Sequence, residues 1–259
     1  MNTILFEKQN NIATITLNRP KVFNAFNAEM RQELIAALDD CQADPSVRCV
    51  ILTGEGRAFC AGQDLSEIVN PNTAPSFETI LDEGLNRIAL KIRQLEKPVI
   101  AAVNGVAAGA GANMALACDI TVATESASFI QAFSKIGLIP DTGGTWVLPR
   151  LIGFARASAL MMTGEKVSAQ DAVSMGMIFA SYPDDTFPSS VEIMANTIAK
   201  MPTKGLAYTK QILNESLFQG FEAHLKRETE IQGKAASTAD YTEGVSAFVE
   251  KRKPNFKGC

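Results

Sequence analysis

The order of hydrophobic and polar residues predicts that the first half of the chain alternates strands with helices. Residues 3–8 and 11–18 alternate apolar and polar positions, which is typical of a β-hairpin. From Asn27 to about Cys41, apolar residues recur at helical spacing, and 77–95 is also predicted to be helical. Short apolar runs typical of buried parallel strands lie at 49–53, 99–103 and 120–123. This alternation indicates an α/β layered core.

Beyond Thr142 the pattern predicts an almost wholly helical region. Helix-compatible spacing covers 142–151, 153–162, 168–175, 187–200 and 203–248. The stretch 66–76 is rich in Asn, Pro and Ser, and it is predicted to be a mobile loop.

The uncharged segment 98–118 raises the question of a membrane span. It has a suitable length and contains a GxxxG pattern at Gly105 and Gly109. However, it consists mainly of Ala and Gly, which favour a bilayer weakly, and it divides into a strand, a glycine turn and a helix. A buried segment of a globular protein is the favoured interpretation, and we expect no membrane association.

Composition and charge narrow the function classes. The chain has 259 residues, of which 46% are apolar and 20% charged, so it can bury a large core. Its net charge of −4 argues against nucleic-acid binding, which usually requires a basic surplus. Five cysteines without metal-ligand spacing argue against a zinc site and favour a reducing, cytoplasmic location. The acid near the N-terminus and the lack of an apolar run argue against a signal peptide.

Two glycine-containing turns follow buried strands, at 57–65 and 105–112. Small residues let backbone N–H groups approach a ligand, and a helix N-terminus adds partial positive charge. Side by side, the two turns could form an oxyanion hole, although tight strand-to-helix packing explains the glycines equally well. A dinucleotide site is disfavoured because Met114 stands where the third glycine of that fingerprint belongs.

Asp141 is the candidate acid of this chain. It lies in the stretch Ile139-Pro140-Asp141-Thr142-Gly143-Gly144-Thr145-Trp146. An aspartate before Thr-Gly-Gly can cap a helix N-terminus, or it can serve as a general acid or base. The residues themselves leave both interpretations open.

Several motifs, in order, resemble the enoyl-CoA hydratase/isomerase (crotonase) superfamily over essentially the whole chain. They are ITLNRPKVFNAFN (15–27), GRAFCAGQDLSEI (56–68), KPVIAAVNGVAAGAGANMALACDI (97–120), LIPDTGGTWVLPRLIG (138–153), MTGEKVSAQDAVSMGMI (162–178) and AFVEKRKPNFKG (247–258).

The resemblance implies a spiral of ββα units with a helical C-terminal trimerisation region. Residues 1–200 would then form an acyl-CoA-binding core and 201–259 the helical region, in a homotrimer or dimer of trimers. The backbone N–H groups of Gln63 and Ala110 would form the oxyanion hole for a thioester. No separate cofactor is implied, because coenzyme A is part of the substrate. The other residues expected to contact the acyl-CoA are Val22, Phe23, Ala61, Asp64, Leu65, Asn113 and Phe133.

The departures from the family pattern point away from hydration. Family hydratases carry two glutamates that activate water, and here these positions are Asn113 and Phe133. Neither side chain can take a proton from water. Asp141 remains, at the position where several family isomerases and a dehalogenase branch carry a catalytic aspartate. The dehalogenases also need a histidine, and the sole one here is His224, in the predicted C-terminal helices.

Within the family, the Asp-Thr-Gly-Gly-Thr-Trp stretch most resembles the isomerases of phenylacetate degradation. They rearrange a ring epoxide of a phenylacetyl-CoA, and some also shift enoyl-CoA double bonds. The resemblance thus implies an acyl-CoA isomerase that uses Asp141. The alternatives are an enoyl-CoA hydratase and a non-catalytic acyl-CoA- or RNA-binding relative.

Overall fold

The computed structural model describes residues 1–69 and 75–259, and the strands of these residues form two sheets. The strands are β1 Ile4–Gln9, β2 Ile12–Leu17, β3 Cys49–Gly54, β4 Ala58–Cys60, β5 Val99–Val103, β6 Val106–Ala108, β7 Ile120–Thr124, β8 Ser128–Ile130, β9 Lys166–Ser168 and β10 Ala180–Tyr182. The larger sheet has the order β1-β2-β3-β5-β7-β10, and the smaller one has the order β4-β6-β8-β9.

The helices of the described residues follow these strands or form the C-terminal region. They are α1 Ala28–Ala43, α2 Phe77–Ile80, α3 Asn86–Gln94, α4 Ala110–Ala117, α5 Gly144–Ile152, α6 Phe154–Thr163, α7 Ala169–Ser174, α8 Phe187–Ala199, α9 Thr203–Ser216, α10 Phe221–Ala236 and α11 Ala239–Val249. A π-helical segment, Leu81–Leu85, joins α2 to α3. Single 3-10 turns cover Pro20–Val22, Leu65–Ile68 and Ala132–Ile136.

The chain winds as a spiral in which each turn contributes one strand to each sheet. β3, β5 and β7 pair in parallel in the larger sheet, while β4, β6 and β8, which follow them in the chain, pair in parallel in the smaller one. A helix then returns the chain to the next strand of the larger sheet. The predicted spiral of ββα units with a helical C-terminal region is therefore confirmed.

Two apolar clusters bury both faces of the larger sheet. The main core lies between the sheets and their helices, and it includes the fully buried rings of Phe26, Phe59 and Phe129. The second cluster packs Phe187 and Val191 of α8 against the opposite face. Burial on both faces explains why the parallel strands consist of continuous apolar runs.

Most elements predicted from the hydrophobic pattern are present. The N-terminal hairpin and α1 are confirmed. Segment 98–118 contains the predicted strand, β5, and the predicted helix, α4, but residues 106–108 of the predicted glycine turn form an additional short strand, β6. No helix of the described residues has the length and apolar character that a membrane span requires. The predicted helix over 77–95 is continuous but contains the π-helical segment.

The prediction of an almost wholly helical region beyond Thr142 is wrong in two places. β9 pairs antiparallel with β8, and β10 pairs in parallel with β7. Strands of three residues are too short to show an alternating pattern, so periodicity could not predict them. The long segment 203–248 is three helices, interrupted at 217–220 and 237–238. Residues 70–74 of the predicted mobile loop lie outside the described residues, and 66–68 belong to a 3-10 turn.

The C-terminal helices are tied to the core by polar contacts. The ammonium group of Lys210, on α9, donates to the Asp119 carboxylate at 2.8 Å and to the Ile92 carbonyl oxygen at 2.6 Å. Arg48, just before β3, donates to the Thr203 hydroxyl and to the Phe256 carbonyl oxygen. The division into 1–200 and 201–259 stays a prediction, but the two parts share buried polar contacts.

Candidate active site

The two glycine turns meet at the N-terminus of α4. A Cβ atom placed on Gly62 would lie 3.2 Å from the backbone nitrogen of Ala110 and 3.0 Å from the carbonyl oxygen of Ala108. The first turn therefore lies against the second one. This contact brings the backbone of Gln63, the next residue, beside the first residue of α4, as the oxyanion-hole interpretation requires.

Within the described residues, no protein oxygen accepts from the N–H of Gln63 or Ala110. Ala110 is the first residue of α4, so its N–H has no partner within the helix. The neighbours of Gln63 are paired instead: the Gly62 carbonyl accepts from Phe26 N–H, and Asp64 N–H donates to the Phe26 carbonyl. Two adjacent donors are thus available for one acceptor oxygen, which is the arrangement of an oxyanion hole.

Backbone geometry explains the glycines on either side of these donors. Gly62 has φ +94°, and Gly109 has φ +51°, so both lie in the left-handed half of conformational space that glycine enters without strain. Gly111 is needed for a different reason, because a Cβ there would lie 2.3 Å from the carbonyl oxygen of Cys60. The helix bearing one donor thus packs directly on the strand that leads to the other. Both original interpretations of the glycines, ligand approach and tight packing, apply.

A buried polar network holds the side chain of Gln63. The Arg31 guanidinium donates to the Gln63 Oε1 atom at 2.9 Å and to the Glu67 carboxylate at 2.9 Å. The Gln63 Nε2 atom donates to the same carboxylate at 2.8 Å. The network joins α1 to the turn that carries one proposed oxyanion donor. Arg31 was not predicted from the sequence. Its spacing was a usable signal, because Arg31 shares a face of α1 with the buried Leu34 and Leu38, three and seven residues further along.

Around the outer mouth of this turn lie five more residues that are expected to contact the acyl-CoA, namely Val22, Phe23, Ala61, Asp64 and Leu65. Val22, Phe23 and Leu65 are large apolar residues that are 38–46% exposed, and Ala61 is also exposed. The Arg57 guanidinium lies 4.5 Å from the centroid of the Phe23 ring. These residues form an apolar rim with one cation, which suits the adenine and pantetheine portions of a CoA. The contacts themselves stay a prediction.

Asp64 has a structural partner in this rim. Its carboxylate pairs with the Arg19 guanidinium at 2.8 Å and accepts from the Ser66 hydroxyl and N–H. Burial alone would raise the pKa of the Asp64 carboxyl, but the hydrogen bonds from Ser66 and Arg19 outweigh it and hold the pKa below the usual range. The side chain therefore stays ionised and braces the 3-10 turn at Leu65–Ile68, whether or not it also contacts a ligand.

Phe133 packs beside the second donor. A Cβ atom on Gly109 would lie 3.6 Å from the Cζ atom of the Phe133 ring, and the ring is 6% exposed. An apolar ring thus occupies the position where family hydratases carry a glutamate. It lowers the polarity around the proposed oxyanion hole, which strengthens hydrogen bonds from N–H donors to a developing negative charge.

The carboxyl group of Asp141 is half-buried and has one side-chain partner. Thr142 donates its hydroxyl hydrogen bond to the Asp141 Oδ1 atom at 2.7 Å. Burial raises the pKa of this carboxyl, and the bond from Thr142 offsets only part of the effect. A carboxylate with a raised pKa is a stronger base than an exposed one, which suits a group that removes a proton near neutral pH.

The helix-cap interpretation of Asp141 is wrong. α5 begins at Gly144, its N-cap residue is Gly143, and no side chain caps it. The backbone carbonyl of Asp141, rather than its carboxylate, accepts from Gly144 N–H, at 2.8 Å. Thr142 has φ +54° and is fully buried, which is strained for a β-branched residue. Such strain is typical of functional loops and holds the carboxylate away from the helix end.

Asn113 links the Asp141 loop to the helix that carries Ala110. It lies three residues further along α4, about 4.5 Å along the helix axis. Its Nδ2 atom donates to the Asp141 carbonyl oxygen at 2.9 Å, and its Oδ1 atom accepts from Gln131 at 2.7 Å. The structure thus brings Gln63, Ala110, Phe133, Asn113 and Asp141 together. Gln131 was missed by the sequence analysis, since no motif marks it.

The ring of Trp146 lies against the C-terminal helices. Its ring stacks on Phe218 with centroids 5.5 Å apart, and the Arg150 guanidinium lies 4.2 Å from the ring centroid. It lines a groove of about 500 Å³ between α3, α5 and α9, whose lining includes Thr142 but not Asp141. The reason is helical geometry, which turns Trp146 toward the C-terminal helices.

Comparisons with known proteins agree with this architecture. The family model described as enoyl-CoA hydratase/isomerase matches residues 7–259. The chain is 45% identical to the 1,2-epoxyphenylacetyl-CoA isomerase of Escherichia coli (strain K12), over 100% of this chain and 99% of that protein. It is 44% identical to a protein of Rhodobacter capsulatus named probable enoyl-CoA hydratase, over 99% of this chain and 98% of that one.

A solved structure shows the same fold over the full length. The enoyl-CoA hydratase of Bacillus anthracis superposes with a TM-score of 0.93 at 33% identity, over 100% of both chains. Matches of this extent to the family model, to relatives and to a solved structure establish the family: the chain belongs to the enoyl-CoA hydratase/isomerase family and has the crotonase fold.

Proposed function

We propose that this protein is an acyl-CoA isomerase in which Asp141 moves the proton and the N–H groups of Gln63 and Ala110 hold the thioester oxygen. The observation that carries the proposal is the replacement of both hydratase glutamates, by Asn113 and Phe133, next to a retained, half-buried Asp141. The CoA thioester itself is proposed from the family, whose model covers the chain.

In the proposed mechanism, the two N–H groups stabilise the negative charge that develops on the thioester oxygen. The Asp141 carboxylate takes a proton from the α carbon of a 3-enoyl-CoA, which gives a dienolate. It then returns the proton to the γ carbon, so that the double bond comes into conjugation with the carbonyl. No atom is gained or lost, and one carboxyl group suffices for both transfers.

The substrate class we favour is a ring epoxide of a phenylacetyl-CoA, with 3-enoyl-CoA isomerisation as a second activity. The 45% identity to the E. coli 1,2-epoxyphenylacetyl-CoA isomerase supports this choice. On such a substrate, Asp141 would assist opening of the epoxide and rearrangement to a seven-membered cyclic ether. The apolar ring of Phe133 and the amide of Asn113, which stand at the two hydratase glutamate positions, suit proton transfer better than water addition.

Enoyl-CoA hydration is the second candidate, because a relative of nearly equal identity is named a probable hydratase. A panel of CoA esters distinguishes the two: a phenylacetyl epoxide, a 3-enoyl-CoA and a 2-enoyl-CoA, each assayed for isomerisation and hydration. We expect isomerisation of the first two and little hydration of the third. Hydration of the 2-enoyl-CoA as the fastest reaction would overturn the proposal.

We also propose a homotrimer or a dimer of trimers. Large apolar residues that are 74–85% exposed lie on or beside the C-terminal helices, including Phe218, Phe221 and Phe248. Surfaces of this kind mark protein interfaces. Light scattering would test the assembly, and a monomer in solution would contradict it.

A further inference from the structure

The side-chain amide of Asn113 sits between the backbone of Asp141 and the side chain of Gln131. Asn113 is 1% exposed and its amide is bound to protein, which argues against the contact with the acyl-CoA expected from the resemblance. Its Nδ2 atom donates to the Asp141 carbonyl oxygen at 2.9 Å, and its Oδ1 atom accepts from the Gln131 Nε2 atom at 2.7 Å. The amide is therefore engaged entirely with protein.

The backbone carbonyl of Asp141 determines how this pair of amides is oriented. A carbonyl oxygen only accepts hydrogen bonds, so it must face the NH₂ group of Asn113. The Oδ1 atom of Asn113 then faces Gln131, which must present its own NH₂ group. The Gln131 Oε1 atom is left buried, without a hydrogen-bond partner among the described residues. The arrangement thus leaves one buried oxygen unsatisfied in order to keep the bond to Asp141.

Gly144 leaves room for the same amide because it has no side chain. A Cβ atom on Gly144 would lie 2.2 Å from the Asn113 Nδ2 atom, so the amide rests against the Gly144 backbone. The Gly144 N–H also donates to the Asp141 carbonyl oxygen, at 2.8 Å. Two donors, one from α4 and one from α5, therefore converge on a single carbonyl. They fix the start of the loop in which Thr142 is strained.

We infer that Asn113, oriented by Gln131, is a positioning residue that fixes the Asp141 carboxylate relative to the Ala110 N–H on the same helix. The inference rests on the proposed function, in which Asp141 moves the proton. It also gives a reason for the amide: an ionised carboxylate at this position would set a negative oxygen against the Asp141 carbonyl oxygen.

The decisive variant is Asn113→Asp, which keeps the shape of the side chain. Its carboxyl can donate to the Asp141 carbonyl only when protonated, whereas the amide donates at every pH. Of the two hydrogen-bond partners that the amide has within the described residues, Asp141 and Gln131, only Asp141 has a titratable side chain, and wild type carries it too. The measured quantity is therefore the ratio of variant to wild-type kcat for isomerisation of a 3-enoyl-CoA, from pH 5 to 9.

The inference predicts that this ratio falls by about tenfold or more as the pH rises, because ionisation removes a buried donor. Asn113→Leu, which has no donor, should have a low ratio at every pH. Both variants should leave KM close to wild type, since Asn113 does not touch the substrate. Gln131→Met should lower kcat less than Asn113→Leu does.

A matched control is Thr121→Val, because the Thr121 hydroxyl donates to the Ala115 carbonyl of the same helix at 2.8 Å, away from Asp141. It should lower the midpoint of thermal unfolding and leave the kcat ratio near one at every pH. If the role of Asn113 were purely structural, Asn113→Asp would likewise lower the midpoint of thermal unfolding and keep a kcat ratio near one at every pH.

A flat ratio for Asn113→Asp across the pH range, high or low, would overturn the inference. Asp141→Asn measured in the same assay separates the two claims. Turnover by Asp141→Asn at the wild-type rate would refute the proposed function. An inactive Asp141→Asn together with a flat ratio for Asn113→Asp would refute the positioning role alone.

Discussion

At the scale of single residues, Asp141 shows a conflict between stability and activity. Burial raises the pKa of its carboxyl above the unfolded value, so the folded state disfavours the ionised form. The group therefore costs no stability below its unfolded pKa. Its cost grows as the pH rises from the unfolded pKa to the folded pKa, and it stays constant above that. The protein carries a destabilising charge at neutral pH at the place where the proposed chemistry needs a base.

We predict that Asp141→Asn makes the protein more stable at pH 7 and leaves its stability unchanged at pH 3, where the wild-type carboxyl is protonated in both states. The amide oxygen can still accept from Thr142. Chemical denaturation at the two pH values measures the effect. Asp184 is a suitable control, because hydrogen bonds from Ser126 and Thr124 hold its pKa below the usual range. Asp184→Asn should lower stability at pH 7. Stability changes of opposite sign in the two variants therefore test whether the opposite pKa shifts cause them.

The backbone conformation of Gly109 provides a test of the oxyanion hole. With φ +51° and ψ −126° it adopts a conformation that other residues avoid. Gly109→Ala should rotate the peptide that carries the Ala110 N–H, and losing one such donor costs about 3–4 kcal/mol of transition-state stabilisation. We expect kcat to fall by roughly 100-fold to 1,000-fold. The Phe133 ring, 3.6 Å from the new Cβ, gives no steric reason for unfolding.

Gly176→Ala is the matched control, because Gly176 has φ +78° outside the candidate site. It should cost about 1 kcal/mol of stability and leave kcat unchanged. Equal losses of kcat in the two glycine variants would contradict the oxyanion assignment.

The residues of the site differ in how far the sequence predicts them. Gln63, Ala110 and Asp141 lie in motifs that are continuous along the chain, so the resemblance found them. Arg31 and Gln131 act through partners 32 and 18 residues away, and no local pattern encodes such contacts. The strain at Thr142 was also invisible, since threonine gives no sign that a left-handed conformation is required.

At the scale of elements, the Arg31 network couples α1 to the oxyanion turn. The side chain is packed under the π-helical segment as well, because a Cβ on Gly84 would lie 2.5 Å from the Arg31 Cδ atom. The irregular segment thus lets a helix pass over a buried arginine. One cation therefore positions the Gln63 turn and supports the helix above it.

We predict that Arg31→Met destabilises the protein by about 3 kcal/mol. The Glu67 side chain is only 20% exposed, and its carboxylate would lose its cationic partner. Since Gln63 also loses a bond, kcat should fall even where the variant is fully folded. Denaturant titration and steady-state kinetics measure the two effects. Arg227→Met is the control: it breaks pairs with Glu215 and Glu230 on the C-terminal helices, so the loss of stability should be much smaller than for Arg31→Met, with kcat unchanged. Wild-type kcat in folded Arg31→Met would contradict the coupling.

Elements of five or more residues were predicted well, and the shortest ones were not. The larger sheet consists mainly of such strands, whose apolar runs stand out. β4, β6 and β8 have three residues each, and their role as a second sheet depends on pairing between distant segments. The spiral was therefore reached through the resemblance, and not through periodicity.

At the scale of the whole molecule, a buried ion pair joins the C-terminal helices to the core. Lys210 and Asp119 have side chains that are 8% and 18% exposed. Burial lowers the pKa of Lys210 and raises that of Asp119, so each charge depends on the other. The region 201–259 is thereby linked to Asp119, in the short connection between β7 and α4, the helix of the candidate site.

We predict that Lys210→Met costs about 3–5 kcal/mol, because it leaves Asp119 buried and unpaired. The double variant Lys210→Met with Asp119→Leu should recover most of this loss. Urea unfolding measures both. Lys8→Met, which breaks surface pairs with Asp40 and Asp44, is the control and should cost much less stability than Lys210→Met. Equal costs for Lys210→Met and Lys8→Met would contradict a buried tie between the two parts.

The central claim is that one carboxyl group, Asp141, carries the acid–base chemistry of this chain. Its most direct test is the rate at which Asp141→Asn converts a 3-enoyl-CoA to the 2-enoyl-CoA, with binding of a saturated acyl-CoA measured on the same sample. The account predicts that turnover is lost while the acyl-CoA still binds with near-wild-type affinity, since Gln63 and Ala110 are untouched. Turnover near the wild-type rate would contradict it.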